Sequence, residues 1–153
     1  IYYNIQAELN EVEGNIEAAY SNYIEASNTT KFKTRKVYIY RKLIKISQES
    51  EDLLSQAKYL NLLDQNITDV NERKSIKIDW IETKQKLGHY DEIITTIDEI
   101  INDLNFQSIR PKLLLYKVKA YKNNRKLNLA QDILNDITLE YSKKMKLLKR
   151  TLF

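Results

Sequence analysis

Apolar residues along this chain recur at intervals of three and four and never alternate with period two over a strand's length. That pattern predicts helices and no sheet. The clearest stripe runs Tyr90, Ile93, Ile94, Ile97, Ile100, Ile101, Leu104, with Asp91, Glu92, Asp98 and Glu99 on the wet side. A second runs Ile16, Ala19, Tyr20, Tyr23, Ile24. A third runs Leu127, Ala130, Leu134, Ile137, Tyr141, then Met145 and Leu148.

Breaks fall between the stripes. Gly14-Asn15 and Gly88-His89 each separate two helices, and Ser27 to Thr30 is a polar gap rich in capping residues. Ser47 to Ser50 marks another turn. Asp69 with Glu72 three residues on reads as a capping box. Ser108 followed by Pro111 opens a helix, since proline is tolerated in a first turn, and Asn123-Asn124 closes it. Eight helices follow, over about 1–13, 15–28, 31–47, 50–66, 70–87, 89–105, 109–123 and 125–151.

Composition narrows the class. The 153 residues hold two glycines and one proline, too few turn-formers for a sandwich or an α/β sheet, so the expected fold class is all-α. A single domain spanning 1–153 is expected. No apolar run approaches the ~20 residues of a membrane span. Ile1 is not a natural start, so the sequence reads as a fragment of a longer chain. With no cysteine and no signal peptide in view, the cytoplasm is the expected location.

Candidate chemistry is thin. Without cysteine there are no disulfides, thiolate zinc sites or thiol nucleophiles. His89 stands alone, which excludes a multi-histidine zinc site and a Glu-x-x-His di-iron motif. Two glycines cannot build a phosphate loop. The acidic pairs Glu51/Asp52 and Asp91/Glu92 lie where helices open and complement the dipole, while Asp98/Glu99 lie on an exposed face. No catalytic, cofactor-binding or metal-binding residue is expected, and no enzyme. Trp80 and the eleven tyrosines suit half-buried seams between helices, with Trp80 expected as a core knob against the Tyr90 helix.

Gly14 and Gly88 are 74 residues apart, and Arg125, at the start of the last helix, lies 37 further on. A period of that size means stacked helix pairs. After the first glycine come Ile16, Ala19, Tyr23 and Ala26. After the second come Tyr90, Ile93, Ile97 and Ile100, and after Arg125 come Leu127, Ala130, Leu134 and Ile137. This spacing of aromatic or apolar and small residues resembles the second helix of the tetratricopeptide repeat. Leu114, Ala120 and Tyr121 match its first helix. The second repeat barely conforms, and the proline that usually closes a repeat is missing. The resemblance implies an α-solenoid of about four antiparallel helix hairpins in a right-handed superhelix. The helical domains that precede the winged helix in proteasome-lid-type subunits share that architecture.

Charge is the pattern that points to a partner. Residues 1–30 hold five acids and no base, 31–45 seven bases and no acid, 91–109 five acids and no base, and 110–126 seven bases and no acid. The net charge is only +4. In a tetratricopeptide-like stack the first helix of each pair lines the inner groove. The resemblance therefore implies an electropositive groove, with Lys36, Arg73, Lys77, Lys112 and Lys119 as outward-facing partner-binding bases. The competing reading is that opposite charges on adjacent helices pair with one another. The expected function is a non-catalytic scaffold binding a protein or peptide segment, acidic in the groove reading, within a larger assembly or a peptide-sensing regulator. Nucleic-acid binding is the second reading, because aromatics interleave with bases over 36–41 and 116–122. A subunit of an enzyme with its active site elsewhere is a third.

Overall fold

A computed structural model describes the backbone of residues 2–152 and the side chains of 2–143. The expected continuation of the last stripe at Met145, Leu148 and Leu152, and the bases Lys144, Lys146, Lys149 and Arg150, have side chains outside the described residues. Every regular element among the described residues is helical: α1 (Tyr2–Val12), α2 (Ile16–Thr29), α3 (Lys33–Glu49), α4 (Leu53–Asp64), α5 (Val70–Lys86), α6 (Tyr90–Ile100), a 3₁₀ turn (Leu104–Ile109), α7 (Arg110–Asn123) and α8 (Leu127–Leu152). No helix among them is long and apolar enough to cross a membrane. The chain divides into two compact units, Ile1–Leu87 and Gly88–Phe153.

In the first unit each helix packs on its neighbour in sequence, from α1 on α2 to α4 on α5. Ala7, Tyr23, Ile39, Leu43, Leu60 and Ile76 lie in one core, with Tyr20 and Trp80 half-buried against it. Elements two apart also touch through side chains. Tyr38 of α3 donates to Glu8 of α1 at 3.0 Å, Tyr20 of α2 donates to Ser55 of α4 at 3.0 Å, and Arg41 of α3 pairs with Glu72 of α5. In the second unit α7 packs against both α6 and α8. Ile93, Ile97, Leu113, Ala120 and Phe106 are buried there.

The helix boundaries repeat. Helices end at Val12, Glu49, Lys86 and Asn123 and start again at Ile16, Leu53, Tyr90 and Leu127, each set 37 residues apart. Between each end and start one residue has positive φ: Gly14, Glu51, Gly88 and Arg125. The same hydrogen bond recurs at Gly14, Glu51 and Arg125. Asn15 N donates to Asn10 O at 2.8 Å, Asp52 N to Ser47 O at 2.9 Å, and Lys126 N to Tyr121 O at 2.8 Å. This is the six-to-one bond of a left-handed helix stop, which satisfies carbonyls that the helix itself leaves open. The 37-residue spacing of helix ends thus runs through the α3–α4 turn as well, where Glu51 stands at the position that Gly14 and Gly88 hold elsewhere.

Local chemistry sets the remaining boundaries. Asp52 Oδ1 accepts from Ser55 N at 3.1 Å, so α4 opens at Leu53 rather than at the expected 50. The Ser55 hydroxyl first, and then the Ser55 N–H, hold the Asp52 carboxyl below its ordinary pKa. Asp69 Oδ1 accepts from Glu72 N at 2.8 Å, the expected cap on α5, while the Glu72 carboxylate pairs with Arg41. Helix α6 stops at Ile100, short of the expected 105. Asp103 Oδ1 accepts from Asn105 N at 2.9 Å and starts the 3₁₀ turn, which buries Phe106 and leaves Leu104, an expected stripe residue, 86% exposed.

Candidate partner-binding surface

The basic face of α3 has two halves. In its second half the bases have acidic partners: Lys42 Nζ lies 2.8 Å from Glu11, Lys45 lies 3.8 Å from Glu49, and Arg41 pairs with Glu72. Glu11 also accepts from the buried Tyr23 hydroxyl at 2.8 Å. Its carboxyl is held below the ordinary range, chiefly by the Lys42 hydrogen bond, and the Lys42 ammonium is raised in turn by Glu11. Burial first, and then Glu11, push the Tyr23 phenol up.

Of the five bases singled out by sequence, Arg73 and Lys77 meet at one carboxylate. Asp64, buried on the last residue of α4, lies 3.2 Å from Arg73 Nε and 3.0 Å from Lys77 Nζ. Lys77 is therefore not outward-facing, because its side chain is only 16% exposed. Lys112 and Lys119 are exposed on α7, with ammonium groups 5.7 and 5.5 Å from the Tyr116 ring centre. Lys36 is half-buried and has no ion pair among the described residues. Lys36, Arg73 and Lys77 belong to the first unit and Lys112 and Lys119 to the second.

The same internal pairing recurs in the second unit. Lys117 pairs with Asp98, Arg110 lies 2.7 Å from Glu140, and Lys126 lies 3.1 Å from Asp91. Much of the charge alternation is therefore satisfied between neighbouring helices. Lys31, Lys33, Arg35 and Lys36, at the start of α3, form no ion pair among the described residues. The first turn of α3 holds no acid, and its N-cap, Phe32, makes no side-chain cap bond. Bases at the positive end of a helix dipole are mutually unfavourable until an anion joins them.

An open pocket adjoins that turn. Asn4, Ala26, Thr29, Thr30, Phe32 and Arg35 line it. Phe32 is 69% exposed, and Arg35 lies 5.9 Å from its ring centre. Asn4 Nδ2 donates to Glu8 at 2.9 Å, which orients the amide, and leaves Asn4 Oδ1 buried with no partner. Of the residues at this turn, sequence reasoning singled out only Lys36 as partner-binding. The available signal was four bases in six positions with no acid from Lys31 to Gln48. Asn4 gives no such signal, since its unmet acceptor depends on how α1 sits on α2.

Tyr40 and Tyr116 are buried, and the Tyr38 hydroxyl is bound to Glu8. Among the described residues no group of three His, Cys, Asp or Glu could hold a metal. His89 Nδ1 lies 2.9 Å from Glu92 within its own helix turn. No protein-family model, curated protein or solved structure matches this chain.

Proposed function

We propose that this chain is a non-catalytic interaction module, a stack of antiparallel helix hairpins of tetratricopeptide type that holds an acidic segment of a partner protein at the start of α3. The observation that carries the binding is the set of unpaired bases, Lys31, Lys33, Arg35 and Lys36, gathered at an uncapped helix start beside a pocket. Carboxylates of the segment meet the bases and the free backbone N–H groups of the first turn. Phe32, 69% exposed, supplies apolar area for the segment. The 37-residue recurrence of helix ends and the bonds between helices two apart support the stack.

The test is fluorescence anisotropy with a labelled peptide rich in Asp and Glu, alongside a short single-stranded oligonucleotide, at several salt concentrations. The peptide should bind the wild-type chain. Replacing Lys31, Lys33, Arg35 and Lys36 together by Ala should weaken it by at least about tenfold. Replacing Lys112 and Lys119 should leave it unchanged. Tighter binding of the oligonucleotide with a steep salt slope would put the nucleic-acid reading in its place. Binding of neither probe would overturn the site.

A further inference from the structure

Helix α1 meets α2 and α3 with a polar face. Asn4, Ala7, Glu8 and Glu11 follow one another at steps of three, one and three residues and so lie on one side of the helix. Ala7 is the buried residue of α1, and a single methyl group brings little hydrophobic stabilisation. Hydrogen bonds do the rest. Asn4 Nδ2 donates to Glu8 at 2.9 Å, and the Tyr38 hydroxyl donates to Glu8 at 3.0 Å. Glu11 accepts from the Tyr23 hydroxyl at 2.8 Å and from Lys42 Nζ at 2.8 Å.

The groups that bear on these two carboxylates come from both helices packed against α1. Tyr23 belongs to α2, while Tyr38, Lys42 and Lys45 belong to α3. We propose that α1 is an acid-released strap: protonation of its carboxylates, Glu11 above all, frees α1 while α2 to α5 stay folded. Protonated Glu11 no longer attracts the Lys42 ammonium, whose side chain is only 27% exposed. The unit's core residues Tyr23, Ile39, Leu43, Leu60 and Ile76 come from α2 to α5 and pack without those carboxylates. Once freed, α1 has 11 residues, too few to hold a helix alone in water.

The sign follows from Glu11. Its carboxyl is held below the ordinary range, first by the Lys42 hydrogen bond. The attachment is therefore complete above the ordinary carboxylate value and is lost as pH falls through the lowered one. Asn4 also lines the pocket at the start of α3, so release removes one wall of it. That consequence rests on the proposed function, whereas the release itself does not.

Hydrogen exchange on the whole chain tests the release, with each amide expressed as protection relative to its unfolded rate. The comparison is between Gln6 to Val12 in α1 and Ile39 to Ile46 in α3. From about pH 6.5 to about pH 3.5, protection in α1 should fall at least about tenfold further than in α3. Glu8→Gln with Glu11→Gln should show weak α1 protection already at the higher pH, and no further relative fall. Tyr38→Phe, at a residue 40% exposed, keeps the charge and should weaken α1 protection at the higher pH, which serves where the double variant folds poorly. Equal losses in α1 and α3 would overturn the strap, because the unit would then open as one. So would a relative fall that persists in the double variant, or α1 protection untouched by Tyr38→Phe. An acidic peptide that fails to bind refutes the proposed function and leaves these exchange results standing.

Discussion

Glu51 holds the same left-handed backbone as Gly88, 37 residues further on, with φ at 56° against 74°. A side chain in that region crowds its own carbonyl by roughly 1–2 kcal/mol, part of which glycine returns as unfolded-chain entropy. Glu51→Gly and Arg125→Gly should therefore each stabilise the chain by about 0.5–1 kcal/mol in urea unfolding. Gly88→Ala should destabilise it by about 1 kcal/mol. The added methyl would meet no atom within 4 Å, so that loss comes from the backbone alone.

Asp64 faces Arg73 and Lys77 from a buried position, so removing it leaves Lys77 without the carboxylate it faces. Asp64→Ala should cost about 3 kcal/mol. Adding Lys77→Met to that variant should recover a large part of the loss, because the uncompensated charge goes with it. A double-mutant cycle by urea unfolding measures this, and additive losses would count against the pairing.

The Glu11 carboxyl is held below its ordinary pKa in the folded chain, first by Lys42 and then by Tyr23. A lowered folded value means that its stabilisation is complete above the unfolded value and is lost as pH falls through the folded one. Unfolding free energy should thus fall more steeply below about pH 4.5 in the wild type than in Glu11→Gln. Parallel profiles for the two proteins would refute the role of this network.

Phe106 and Leu104 reverse the order that the apolar stripe suggests. Phe106→Ala should cost about 3–4 kcal/mol, because the ring is enclosed in the second unit. Leu104→Ala should change stability by less than about 0.5 kcal/mol. Thermal or urea unfolding of the pair decides it.

Most helices were legible because a helix closes its hydrogen bonds four residues away, and its buried stripe repeats with its own turn. The 37-residue period was legible at Gly14 and Gly88, where left-handed backbone selects glycine. It was hidden at position 51, where neighbouring helices hold a glutamate in that state. Of the candidate site, Lys36 and the density of bases around it were legible, while the pocket, Asn4 and the status of each base were not.

By itself the sequence determined an all-helical chain, its approximate boundaries, its alternating charge and its lack of cysteine or clustered histidine. Tertiary structure alone decided that Arg73 and Lys77 turn to Asp64, that Lys31, Lys33, Arg35 and Lys36 stay open, and that Phe106 rather than Leu104 is enclosed. The physical reason is range. Helix formation depends on residues within a turn or two, whereas an ion pair or a buried ring depends on which distant segment lies opposite.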